Sequence, residues 1–167
     1  MQRRRDAQTN PDRPDTHNDI LALERFLPYR LVVLAHSVSR ALSTVYQDRF
    51  GLSIAEWRII ANLGRFGTLS AGDLAECSNL DKPKVTRALQ SLLDRALIVR
   101  AIEAGDRRQS SISLTRQGRT VFRDVSRLAL AWERDLLSAL SATDRRALDS
   151  VITKLQNHTA ARIGPQG

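Results

Sequence analysis

The segment from Ser70 to Thr115 constrains the fold of this chain most strongly, because it predicts two short helices followed by a β-hairpin. Ser70, with Asp73 three residues later, forms a variant capping box that opens the first helix. Asn79 marks the turn after that helix, since asparagine tolerates the left-handed conformation of a tight corner. Pro83 falls in the first turn of the second helix, where a missing N–H leaves no hydrogen bond unmade. This order of elements predicts a winged helix-turn-helix.

The second helix has an apolar side and a cationic side. Four apolar positions repeat with helical spacing, and we expect them to pack inward: Val85, Leu89, Leu92 and Ala96. Short and cationic side chains remain for the exposed side, which also includes Ser91. Such side chains suit entry into the major groove, where base edges lie deep between two rows of phosphates. The predicted DNA contacts of the two helices are Ser70, Lys82, Pro83, Lys84, Thr86 and Arg87.

The hairpin that follows resembles a DNA-binding wing. In its returning strand Ile112 and Leu114 alternate with serines, which predicts one buried face. Its tip carries Arg107 and Arg108, and we predict that these arginines enter a minor groove. Asp106 is predicted to orient an arginine, because phosphates repel a carboxylate. The alternative is an ordinary solvated hairpin.

Taken together, these segments resemble the MarR family of bacterial winged-helix regulators. The family's Asp-x-Arg wing signature falls on Asp106 and Arg108, whereas Pro83 stands where many members carry Ser or Thr. The resemblance implies a mostly α-helical fold with a small two- to three-stranded β wing. It also implies a helical dimerisation domain formed by the N- and C-terminal helices. The matching runs are 56–61, 79–87, 97–100, 105–108 and 113–118, within a similarity that extends from about Leu27 to Ala160.

The flanking segments predict helices built for self-association. Residues 1–18 are basic and poor in apolar side chains, and we expect a mobile arm. A helix from about Pro28 to Gly51 follows, and Ser53 with Glu56 forms a full capping box for the next. The predicted domains are 19–52 with 116–163 for dimerisation and 53–115 for DNA binding. A small winged domain cannot cover all the apolar side chains of the two C-terminal helices, so we predict that a second copy of the chain covers them in a homodimer. These apolar stripes are Val121, Val125, Leu128, Trp132, Leu136 and Leu140 in the first helix and Leu148, Val151, Ile152 and Leu155 in the second.

Composition and charge favour a DNA-binding protein over a membrane protein or an enzyme. A formal net charge of +8 favours a polyanionic partner, here double-stranded DNA. No stretch approaches the roughly 20 apolar residues of a membrane span, and no N-terminal signal core is present, so we predict a cytoplasmic protein without a membrane partner. The single cysteine, Cys77, is expected to be a small packed hydrophobe. The three histidines lack metal-ligand spacing and no catalytic motif occurs, so we predict no enzyme activity, catalytic residue, metal or cofactor.

Cations and aromatic rings in the first two helices suggest a small-molecule effector. An arginine beside an aromatic ring suits an anionic aromatic ligand, either an aromatic acid or its coenzyme A thioester. The predicted function is a homodimeric repressor that such a ligand releases from a pseudo-palindromic operator. The alternatives are a ligand-independent or architectural DNA-binding protein and a protein-interaction winged helix. The candidate effector residues are Tyr29, Arg30, His36, Arg40, Trp57 and Arg58, although His36 and Arg40 also suit a solvated face and Trp57 a helix staple.

Overall fold

The computed structural model of the protein describes residues 21–102 and 110–163, within which six α-helices accompany a small three-stranded antiparallel sheet. The mostly helical winged fold predicted from the sequence is therefore confirmed. The predicted arm and the wing tip with Asp106, Arg107 and Arg108 lie outside the described residues. The elements are α1 (Leu27–Phe50), α2 (Ile54–Phe66), β1 (Leu69–Ser70), α3 (Ala71–Ser78), α4 (Lys82–Asp94), β2 (Ile98–Ile102), β3 (Ser110–Leu114), α5 (Arg116–Ser138) and α6 (Ala142–Ile163).

The chain divides into two units, residues 1–37 and 38–167. In the first unit, the apolar side chains of the α1 N-terminal half are exposed, with Val32 at 68% and Leu34 at 59% of full exposure. The second unit holds the hydrophobic core. The fully buried members of that core include Leu52, Ile59, Ile60, Leu74, Leu92, Leu97, Ile112 and Val125.

The predicted helix starts and the predicted turn are present. Ser53 and Glu56 form a reciprocal capping box at α2, and Ser70 and Asp73 form another at α3. Asn79 ends α3 in the left-handed conformation, with φ 50° and ψ 52°. The carboxylate of Asp81 caps α4 by accepting a hydrogen bond from the backbone N–H of Lys84 at 2.8 Å. Each cap satisfies an N–H group that the first turn of a helix otherwise leaves unpaired.

The sheet has the order β1-β3-β2, and both pairings are antiparallel. Leu69 pairs with Ile112, and Ile98 pairs with Leu114. Ile112 and Leu114 are buried, as their alternation with serines predicts. The described parts of β2 and β3 thus form the base of the wing and anchor it to the core.

Three expectations about burial are wrong. Ala96 lies beyond the end of α4 with φ 52° and is exposed, and Ala88 takes the inner place between Val85 and Leu92. Cys77 is exposed, because Leu74 and Ser78, four residues apart, turn the inner side of α3 away from it. Ser91 is half-buried and faces α2 instead of solvent.

The C-terminal helices leave apolar side chains uncovered in the single chain. Along the α5 stripe Val125 is buried, four members are half-buried, and Leu136 is 44% exposed. On α6 the whole stripe is exposed, from 37% at Leu155 to 51% at Val151. Among residues 21–102 and 110–163, no helix is both long and apolar enough to cross a membrane.

Candidate nucleic-acid interface

Helix α4 carries its polar side chains directly opposite the core. Its buried residues are Val85, Ala88 and Leu92. Successive residues of an α-helix are rotated by about 100°, so Pro83 and Gln90 project within about 20° of the direction opposite the buried side. Both residues are exposed. Pro83 is one of the predicted contacts, whereas Gln90 is a residue that the sequence reasoning missed.

The other predicted contacts on α4 flank this central line. Thr86 and Arg87 lie about 50° to either side of it, and Lys82 and Lys84 lie about 100° away on opposite flanks. All four side chains are exposed. A helix in the major groove has base edges in front of it and one phosphate strand on each side. For a helix in the major groove, this arrangement is compatible with phosphate contacts from Lys82, Lys84 and Arg87, and these contacts stay a prediction.

Two of these side chains already have partners at the start of α4. The ammonium group of Lys84 forms an ion pair with the Asp81 carboxylate at 2.6 Å. The hydroxyl group of Thr86 donates a hydrogen bond to the Lys82 carbonyl oxygen at 2.9 Å, so its donor is occupied. Hydrogen bonds from the Lys84 side chain and backbone hold the pKa of Asp81 below its ordinary value. Within the described residues Arg87 makes no ion pair, and its charge is available to DNA.

Glu56 holds α4 in position against α2. Its carboxylate accepts hydrogen bonds from the Ser53 backbone N–H at 2.6 Å and the Ser91 hydroxyl at 2.5 Å. The Arg95 guanidinium lies 3.8 Å from Glu56 and donates to the carbonyl oxygens of Phe50 and Gly51. Burial alone raises the pKa of Glu56, but the hydrogen bonds from Ser91 and Ser53 and the charge of Arg95 lower it overall. Glu56 is therefore ionised at neutral pH and links the cap of α2 to α4 and to the end of α1.

Hydrogen bonds from two side chains of α2 hold the end of helix α3. The Arg58 guanidinium donates to the Ser78 carbonyl oxygen at 3.4 Å, and the Asn62 amide donates to the Ser78 hydroxyl at 3.2 Å.

The Ser70 hydroxyl, at the start of α3, donates a hydrogen bond to the Asp73 carboxylate at 2.7 Å and lowers the pKa of that carboxylate. Ser70, a predicted DNA contact, thus has its donor committed to the α3 cap.

The predicted effector residues fall into both units of the chain. Tyr29 and Arg30 line one groove of about 450 Å³ in the first unit, together with Glu24, Leu27 and Leu34. His36 and Arg40 are exposed on α1. In the second unit the Trp57 ring lies between Tyr46 and Phe122, with ring centroids 5.7 and 6.4 Å apart. Trp57 therefore packs among aromatic rings, Arg58 donates its hydrogen bond to Ser78, and an effector role for these six residues stays a prediction. In the described part of the chain, no three metal-ligating side chains come together.

Comparison with known proteins finds transcriptional regulators by sequence and by structure. The family model described as MarR family matches residues 50–109. The uncharacterized HTH-type transcriptional regulator YdgJ of Bacillus subtilis is 25% identical over 121 residues, covering 72% of this chain and 74% of YdgJ. A MarR/EmrR family transcriptional regulator from Acinetobacter sp. ADP1 is 27% identical with a TM-score of 0.73, covering 82% of this chain and 96% of its own.

One further solved structure concerns the regulation of DNA binding of Bordetella bronchiseptica BpsR by 6-hydroxynicotinic acid. It is 19% identical to this chain with a TM-score of 0.65, and covers 76% of this chain and 98% of BpsR. At this identity the likeness shows a shared fold.

Proposed function

Because the chain belongs to the MarR family of DNA-binding transcriptional regulators, we propose that it acts as a homodimeric repressor which a small aromatic acid or its coenzyme A thioester releases from DNA. The observation that carries the proposal is the polar face of α4, directly opposite its buried side and flanked by a lysine on each side. A two-fold dimer presents two such helices. Its operator is then a pseudo-palindrome with half-sites about one helical turn apart.

The uncovered apolar helix faces support the dimer. Contiguous exposed apolar surface on a soluble protein marks a site of association. The stripe of α6 carries four such side chains at positions i, i+3, i+4 and i+7, which is the spacing of a helix that packs on a partner. The N-terminal half of α1 leaves a second set of apolar side chains exposed in its own unit. A second copy of the chain is the partner that we propose for these faces.

The effector part of the proposal rests on the groove in the first unit. Arg30 offers a guanidinium for a carboxylate or phosphate, and Tyr29 offers a ring for stacking, beside apolar walls. The acid named for BpsR is a small aromatic carboxylic acid, which belongs to the same chemical class. A fluorescence screen of aromatic acids and their thioesters for release of the protein from bound duplex tests this part. Failure of every compound favours the ligand-independent alternative.

Replacing Arg87 with alanine is expected to weaken binding to duplex DNA and to flatten its dependence on salt. Each phosphate contact adds about 0.9 to the slope of log affinity against log salt concentration, and a dimer loses two contacts. Fluorescence anisotropy at four or more salt concentrations measures the slope. Arg134→Ala is the matched control, because Arg134 is an exposed arginine on α5.

An unchanged slope for Arg87→Ala would show that α4 does not face the duplex. If the unmodified protein binds no duplex at low salt, the protein-interaction alternative replaces the proposed function.

A further inference from the structure

Gln90 lies on the side of α4 that faces away from the core. It is exposed, and it projects within about 20° of the direction opposite Val85, Ala88 and Leu92. Pro83 projects in nearly the same direction, but it lies near the N-terminus of α4, about 10 Å from Gln90 along the helix axis. Pro83 has no polar side-chain atom with which to recognise a base. Gln90 is therefore the polar side chain that points most directly away from the core.

A hydrogen bond to Asp94 favours one orientation of the Gln90 amide. Its nitrogen donates a hydrogen bond to the Asp94 carboxylate, with 2.8 Å between Nε2 and Oδ1. An ionised carboxylate only accepts hydrogen bonds, so the nitrogen and not the oxygen of the amide must face Asp94. Among residues 21–102 and 110–163, the second N–H of the amide and the carbonyl oxygen Oε1 make no other hydrogen bond. Asp94 thus selects which donor and which acceptor Gln90 presents to a ligand.

A neighbouring donor and acceptor match one base edge in the major groove. Adenine presents the acceptor N7 beside the N6 amino donor, so it pairs with both free groups of the amide. Guanine presents two acceptors, of which O6 would oppose Oε1. Cytosine presents only a donor, and thymine presents one acceptor beside a methyl group. We propose that Gln90 is a specificity-determining residue that recognises adenine, and that Asp94 is its positioning residue.

This inference rests on the proposed entry of α4 into the major groove. The competing explanation is a solvent-exposed hydrogen bond between residues i and i+4, which stabilises a helix by only a few tenths of a kcal/mol. That explanation predicts no effect on base preference. The two explanations are therefore separated by measuring specificity instead of stability.

The experiment is selection of bound sequences from a randomised duplex library, followed by affinity measurements on single-base variants of the selected site. For the unmodified protein we expect one adenine in each half-site to be preferred over other bases by about 5- to 150-fold, the range for a bidentate contact. Gln90→Ala is expected to abolish the preference at that position and to leave all others intact. Gln90→Glu is expected to shift the preference there toward cytosine, whose amino group a carboxylate accepts.

Asp94→Asn tests the positioning role. Asparagine both donates and accepts, so it no longer dictates which way the Gln90 amide faces. We expect the adenine preference to fall while overall affinity for duplex stays within about twofold. Gln156→Ala, at an exposed glutamine on α6, is the control and is expected to leave the whole profile unchanged.

An identical base profile for Gln90→Ala and the unmodified protein would overturn the inference. A reduced salt slope for Arg87→Ala in the same preparation would show that α4 still contacts DNA, so that only the role of Gln90 fails. If the unmodified protein selects no sequence and binds no duplex, the proposed function itself fails.

Discussion

Replacement of Gly118 with alanine is expected to destabilise the protein by at least about 3 kcal/mol, at the upper end of the cost of overpacking. A Cβ atom at this position would lie 1.9 Å from the backbone carbonyl oxygen of Leu97. That oxygen also accepts hydrogen bonds from the backbone N–H of Thr115 at 3.1 Å and from its hydroxyl at 3.2 Å. The start of α5 is therefore held against the start of β2, and neither backbone can move without loss of these bonds.

Urea denaturation followed by circular dichroism measures this effect as a lower midpoint. Gly72→Ala is the matched control, because the nearest atom to its Cβ is the Ser70 Oγ at 3.6 Å, an ordinary contact. Gly72 lies in the first turn of α3, where alanine is the better helix former by up to about 1 kcal/mol. Equal midpoints for the two variants would contradict the close approach at Gly118.

Replacement of Leu155 with aspartate is expected to raise the dissociation constant of the dimer by at least about 100-fold, or about 2.7 kcal/mol. An aspartate at this position places an unpaired charge in an apolar interface, twice in each dimer. Leu155 is exposed in the single chain and lies outside its hydrophobic core, so the change removes little packing within one protomer. Sedimentation velocity across a range of protein concentrations measures the shift toward monomer.

Asn157→Asp provides the control for Leu155→Asp. It introduces the same charge two residues away, on the side of α6 opposite the apolar stripe. We expect this variant to stay dimeric and to bind duplex DNA. Similar dissociation constants for both variants would exclude α6 from the interface, and an unmodified protein that is monomeric would contradict the homodimer itself.

Local features of this protein are predictable from its sequence because they depend on neighbours along the chain. The caps at Ser53 and Ser70 join a side chain to a backbone N–H three residues later. The left-handed turn at Asn79 depends on the conformational tolerance of one residue. The cationic and apolar sides of α4 follow from helical periodicity. These signals were sufficient to predict the winged helix-turn-helix and five of the candidate contacts on α4.

Only the tertiary structure decided which surfaces meet. Cys77 and Ala96 suit a core by composition, yet the rotation of α3 and the early end of α4 leave both exposed. Glu56 was recognisable as a cap, but its bond to Ser91 joins residues 35 positions apart. The contact that requires glycine at Gly118 likewise joins α5 to a backbone carbonyl oxygen at the start of the wing. Periodicity determines the faces of each helix, whereas contacts between distant segments depend on the angle and register at which those faces pack.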